Sequence, residues 1–348
     1  MADTRTVLAP AGAATRRSAA PLPTLRARRR YAILLAVLAA LAAGAAFGLL
    51  AWDNPMPVGS EGFWRIANLR ATNLVVLSVV AVCQAIATVT FQTVTENRII
   101  TPSIMGFESL YTAVQTSAVY VLGAAGVVAL QGVPQFLLQV ALMVGLSLLL
   151  YGWLLSGRYG SLHIMLLVGI VIGAGLGSVS TFMQRLLTPS EFDVLAARLF
   201  GSIANADASY LPVALPLVGL AVIFILANGR RLNAIALGRD LSTSLGIDHR
   251  REVMRMLFFV SILMAVSTAL VGPMTFLGFL VATLAYQFAD TYDHRLVFPV
   301  AALTGFVVLA GAYFVMKNVF AAQGVVSIIV ELVGGTVFLF VILRKGRL

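Results

Sequence analysis

The chain has 348 residues, of which 60% are hydrophobic and 11% charged, and its formal net charge is +10. A mean hydropathy of +0.95 and one apolar run after another of bilayer-crossing length exclude a soluble globular enzyme. They define an all-α polytopic membrane protein, because a helix satisfies its own backbone polar groups in lipid. The positive charge calls for no nucleic acid: retained cytoplasmic loops carry such an excess, and contact with anionic membrane lipid is a secondary effect.

In chain order, residues 1–30 are rich in arginine and interrupted by Pro10, Pro21 and Pro23, which predicts a disordered basic cytoplasmic tail. The apolar run behind it is too long for the core of a cleaved signal. Residues 31–348 are predicted as one transmembrane domain, with spans at 31–51, 72–93, 103–124, 134–155, 162–186, 209–227, 253–271, 274–289, 296–316 and 325–343. The eighth is short for a full crossing, so it is expected to be re-entrant or tilted. Ten crossings put both termini on one side. Nineteen of the 24 Lys and Arg residues fall on that side, leaving Arg65, Arg70, Arg185, Arg198 and Lys317 opposite. Both termini are therefore expected to be cytoplasmic.

Little in the chain suggests chemistry. Cys83 is the only cysteine, and His163, His249 and His294 are widely separated, so no metal site is expected. No phosphate-binding loop, nucleophile elbow or zinc-protease signature occurs, and no catalytic apparatus or bound cofactor is expected. Glu108 and Glu331 lie in or near spans, where a carboxylate is either functional or held by an interface or a neighbouring helix. The runs TPSIMGF (101–107) and GPMTFLGF (272–279) echo each other five helices apart, a spacing that an inverted repeat gives and that chance also gives.

The longest polar break in the second half is Asn228–Arg255. Within it Leu237, Leu241 and Leu245 recur at i, i+4 and i+8, predicting one apolar stripe on a short helix that ends at Gly246. Arg239, Asp240, Ser242, Thr243 and Ser244 occupy the other faces. Such a helix suits either a groove in a soluble partner or the bilayer surface.

The run ALGRDLSTSLGID (236–248) resembles the cytoplasmic coupling segment of the FecCD-type permeases, membrane subunits of ABC importers for ferric siderophores, haem and vitamin B12. The resemblance covers about residues 60–343. It includes RIANLRATNLVVLSVVAVCQ (65–84), ENRIITPSIMGFESLY (96–111), LHIMLLVGIVIGAGLGS (162–178), LFGSIANADASY (199–210), VGPMTFLGFLVATLAYQF (271–288) and VELVGGTVFLFVILRKG (330–346). Departures are Ala282 and Tyr286 where the family has proline and arginine, AAQGVVS (321–327) before the last helix, and the loss of a glycine near Ala81. These features are similar to a divergent branch, the paired permeases for catecholate or petrobactin-like siderophores.

The resemblance implies that ABC ATPase subunits, which bind the ATP, dock on Leu237, Gly238, Arg239, Leu241, Leu245 and Gly246. It implies a second permease subunit, as a heterodimer or a homodimer, and an extracytoplasmic substrate-binding protein that pairs with Arg65, Arg70 and Lys317. It places a translocation path along Gly169, Gly173, Gly177, Glu331, Gly334 and Gly335, with a cytoplasmic gate near Gly160 and Ser161. Taken singly, each glycine fits plain helix packing as well, and each basic residue fits interfacial anchoring. The expected function is ATP-driven import of an iron chelate; the rival is an ion-coupled secondary transporter working through Glu108 or Glu331.

Overall fold

The computed structural model describes residues 20–52, 54–130, 132–156, 162–203, 206–320 and 325–345. Among them the fold is all-α, in chain order α1 (Leu25–Ala51), α2 (Glu61–Val94), α3 (Glu108–Ala129), α4 (Val133–Ser156), α5 (Leu162–Gln184), α6 (Pro189–Leu199), α7 (Leu211–Ala227), α8 (Gly229–Ile235), α9 (Arg239–Ser244), α10 (His249–Val271), α11 (Leu277–Ala289), α12 (His294–Asn318) and α13 (Val326–Lys345). Eight of these, α1 to α5, α7, α10 and α12, are long and apolar enough to cross a membrane, while α11 and the apolar part of α13 are shorter. All ten correspond to predicted spans, and α11 is the short eighth one.

The core is built around α2, which is buried over most of Val76–Thr95 and contacts α1, α7, α8, α10, α11 and α12. A helix surrounded on all sides has no solvent face to keep polar, and several of its buried polar side chains bond inside. Thr93 and Thr95 do so by donating back to the carbonyls of Val89 and Phe91, each at 2.8 Å. Gln84 donates to Ser267 on α10 at 3.2 Å. A second group packs beside this core: α3 lies against α5 and α6, and α4 against α10.

Two predicted boundaries move for the same reason. Helix α1 begins at Leu25, inside the expected tail, because the Thr24 hydroxyl caps it by accepting from the Ala27 amide. Helix α2 begins at Glu61, well before residue 72, because Ser60 caps the Phe63 amide and Glu61 sits in the positive first turn. Hydropathy assigns Arg65, Asn68 and Arg70 to a loop, whereas the cap makes them the first turns of a long helix. The remainder of the expected tail, residues 1–19, lies outside the described residues.

Helix α6 was expected as loop. Thr188 and Glu191 form a capping box around Pro189 at the first helical position. The Thr188 amide and hydroxyl both donate to the Glu191 carboxylate, at 3.0 and 2.8 Å, and hold its pKa below the ordinary value.

Candidate functional site

The polar break folds as an elbow of two helices rather than one. Helix α8 is anchored by buried Leu232 and Ile235. The chain then turns through Ala236 and Leu237 to Gly238, whose φ of 90° and ψ of 170° lie in a region that only glycine adopts readily. The α2 terminus lies alongside, so that a Cβ on Gly238 would stand 3.6 Å from a Glu96 carboxylate oxygen. Helix α9 starts at Arg239 with Asp240 in its first turn, and Leu245 caps it. Gly246 follows in the left-handed region with φ 80°. The Gly246 amide bonds to Thr243 O and the Ile247 amide to Ser242 O, which closes the helix where the glycine signal placed its end.

Leu237 therefore does not share a helix with Leu241 and Leu245, as the i, i+4, i+8 spacing predicted; the backbone reversal at Gly238 separates it. All three side chains are nonetheless exposed, at 55%, 57% and 62%. Ser242, expected on an open face, is buried and shares a 2.8 Å hydrogen bond with His249 Nδ1 at the start of α10. A salt bridge of Glu252 to Arg231 at 2.7 Å joins α8 to α10, and Arg255, one turn along α10, holds the same carboxylate at 2.9 Å. Asn233 donates to Asp293 at 3.1 Å and accepts from the His294 amide at 3.0 Å, tying α8 to α12. The elbow is thus braced from behind on α2, α10 and α12 and presents three leucines outward. A rigid apolar knob of this kind suits a partner that pushes or pulls on it.

At the other end of the helices, Arg65 is an exposed side chain in the first turns of α2. Arg70 points inward, donating to the carbonyls of Trp52 at 2.6 Å and Leu50 at 3.4 Å, and so caps the end of α1. Lys317 is half-buried in the last turn of α12. Of the three predicted docking cations, Arg65 is the one that geometry leaves reaching outward.

The predicted path glycines divide. Gly169 and Gly173 are buried against the π-helical turn Ser103–Phe107. A Cβ at Gly169 would come to 2.9 Å from Met105 Cγ, and one at Gly173 to 2.9 Å from Gly106 Cα. Both are packing glycines. Gly177 and Gly335 meet nothing within 4 Å, so they stand on open faces of α5 and α13. Gly334 is buried against Phe276, which a Cβ would approach to 2.8 Å. Gly160 and Ser161 lie outside the described residues, as do residues 321–324 of the divergent run before α13.

The second echoing segment reaches the residue that follows the first. Thr275 Oγ1 donates to Glu108 Oε2 at 2.6 Å, with Ser103 beside the carboxylate and half-buried Glu331 near enough to act on it electrostatically. Sequence reasoning missed Thr275 and a second junction just before it. Gly201 packs against the Pro273 carbonyl, the Ser202 amide donates to Val271 O at 2.7 Å, and the Ser327 amide donates to Gly201 O at 3.2 Å. This backbone-to-backbone contact joins the segment after α6 to the α10–α11 turn and to the start of α13. No cluster of metal-binding side chains occurs among the described residues.

Residues 32–344 match the FecCD transport family. Among curated relatives, the chain is 51% identical to the petrobactin import system permease protein FatC of Bacillus anthracis, over 95% of this chain and 94% of that one. It is 37% identical to the petrobactin import system permease protein YclO of Bacillus subtilis (strain 168), over 76% and 84%. Its fold matches a solved inward-facing structure of a metal-chelate type ABC transporter with a TM-score of 0.77 at 19% identity, covering 90% of this chain and 99% of that one. The chain belongs to the FecCD transport family.

Proposed function

We propose that this chain is a permease subunit of an ATP-driven importer that carries a petrobactin-type ferric siderophore across the cell membrane. It has the role of a multi-pass transport subunit, not of an enzyme. The likeness to FatC over nearly the whole of both chains supports the substrate class. In this reading both termini and the elbow lie on the cytoplasmic side, and ATP is bound and hydrolysed on a separate ATPase subunit.

The observation that carries the coupling role is the braced elbow with Leu237, Leu241 and Leu245 exposed. An ATPase subunit grips these leucines, with Gly238, Arg239 and Gly246 shaping the backbone between them. Its motion passes through Ser242 and His249 into α10 and through Asn233 into α12. A second permease subunit faces α5 and α13, where Gly177 and Gly335 are open. The substrate passes between the two permeases beside Glu331, and Arg65 meets carboxylates of an extracytoplasmic binding protein.

Two measurements test this. Leu241→Asp abolishes co-purification of the ATPase subunit while leaving the permease in the membrane. In a deletion strain, the wild-type chain restores ATP-dependent uptake of ferric petrobactin and the variant does not. Uptake that survives removal of the ATPase but collapses with a proton uncoupler overturns the reading in favour of an ion-coupled carrier.

A further inference from the structure

Away from the elbow and the glycine faces, a cavity of about 420 Å³ opens between α3, α4, α6, the end of α10 and the segment just before α7. Its wall carries Arg198, Asp207, Gln115, Gln139, Tyr111 and Tyr210. Arg198 is half-buried and its only close side-chain partner is Gln115, at 3.5 Å; among the described residues it makes no ion pair, not even with Asp207 in the same cavity. Gln139 is 8% exposed and accepts from Gln115 at 2.9 Å. Its Nε2, although near the Tyr111 phenol, completes no hydrogen bond among the described residues. Tyr210 stacks on Phe136, with ring centroids 5.0 Å apart, and forms one side. A partly desolvated guanidinium without a counter-ion and a buried amide with a free N–H both ask for an anionic oxygen.

This cavity shares a wall with a second, more apolar one. Gln115, Gln135 and Gln139 also line an apolar groove of about 490 Å³ between α3 and α4. Its flanks include Val121, Leu138, Leu142 and Leu146, exposed at 74%, 58%, 41% and 41%. From Gln135, in the first turn of α4, to Leu146 the helix rises by about 16 Å at ~1.5 Å per residue, roughly half the ~30 Å hydrocarbon core. The groove therefore begins at the N-terminal end of α4 and reaches the depth of one leaflet. The α3–α4 turn lies at the end opposite the Gly238 elbow, beside which α2 terminates.

We propose that the adjoining cavity and groove hold one aminophospholipid. Its phosphate sits on Arg198 and Gln139 Nε2, its ammonium group is directed to Asp207, and one acyl chain lies along the α3–α4 groove. The choice rests on charge complementarity. A cation and an anion that face one cavity without pairing to each other match a zwitterionic headgroup, and the apolar continuation matches a chain of one-leaflet length. A headgroup of net negative charge leaves Asp207 opposed by a like charge.

The test uses the intact transporter in nanodiscs of phosphatidylethanolamine and phosphatidylglycerol in equal amounts, doped with either lipid carrying a photoreactive mid-chain group. The phosphatidylethanolamine probe is expected to label peptides containing Leu138 and Leu142 at least fivefold more than the phosphatidylglycerol probe. Arg198→Gln brings that labelling down to the phosphatidylglycerol level, and Leu142→Trp, which fills the groove from an exposed position, abolishes it. Retained co-purification with the ATPase subunit certifies that each variant folds. Equal labelling by the two probes, labelling unchanged in both variants, or a photocrosslink from a photoreactive residue at Leu138 to the second permease subunit would each overturn the proposal; the last shows that a protein covers the groove.

Discussion

The Ser242 hydroxyl lies 2.8 Å from His249 Nδ1 and also donates to the Arg239 carbonyl at 3.0 Å, so one buried side chain clamps α9 to the first turn of α10. Leu241, its neighbour, is thereby held outward. Removing this clamp leaves the leucines present but loosely presented. Ser242→Ala is expected to weaken ATPase-subunit binding by roughly 3- to 10-fold, which corresponds to the ~1 kcal/mol net value of such a hydrogen bond. Titration of the purified ATPase onto the permease in nanodiscs measures it. An affinity equal to wild type shows that α9 is positioned by its backbone alone.

Gly238 makes a sharper demand, because its backbone conformation is closed to residues with a Cβ. Gly238→Ala is expected to cost about 1–3 kcal/mol locally, a loss taken up by unbending the elbow and separating Leu237 from Leu241. Nearby Gly246→Ala, at φ 80°, should act more mildly, since the left-handed region is open to other residues at about 1 kcal/mol. The ratio of ATP hydrolysed to siderophore imported reads the difference: it rises more for the Gly238 variant, while the amounts of both variants in the membrane stay near wild type.

The fold was largely legible in the sequence because bilayer crossing imposes length and apolarity, and all ten predicted spans have a helix. The elbow was legible in position more than in form. Periodicity placed Leu237, Leu241 and Leu245 on one stripe because it reads spacing and assumes one helix; it cannot register the reversal at Gly238. Charge counting placed Arg70 with Arg65, but it cannot see that the carbonyls of Trp52 and Leu50 claim the Arg70 guanidinium. Helix α6 was missed although its signal was present: Thr188, Pro189 and Glu191 spell a helix start, and the polar composition of the segment hid it.

Glycine spacing likewise gives the same pattern for a packing seam and for an open path, and the structure shows only which glycines are packed. Gly173→Ala drives a Cβ into Gly106 Cα at 2.9 Å, backbone against backbone, where neither side can swing away. It should lower the melting temperature of the purified permease and reduce its amount in the membrane. Gly177→Ala and Gly335→Ala meet no neighbouring atom within 4 Å and should leave both quantities unchanged. If these two faces line the path or the subunit seam, larger side chains there cut uptake without unfolding: Gly177→Leu and Gly335→Leu are expected to reduce transport more than fivefold at normal protein levels. Full transport by both leucine variants removes Gly177 and Gly335 from the path.

The 2.6 Å bond from Thr275 to Glu108 joins the turn before α11 to the first turn of α3. A hydrogen bond to a carboxylate contributes about 1.5–3 kcal/mol, and the buried acceptor is costly to leave unmade. Thr275→Val, which keeps the shape and removes the donor, should therefore lower thermal stability clearly. Glu108→Gln keeps an acceptor for the hydroxyl and should cost less. In a Glu108→Leu background the Thr275 change should have little further effect, so the double-mutant cycle returns a coupling of about 1–2 kcal/mol. The same set separates structure from transport. If Glu108 only fastens α3 to α11, uptake follows stability across all four variants. If it also meets the passing substrate, Glu108→Gln loses uptake while its melting temperature stays closest to that of the wild type.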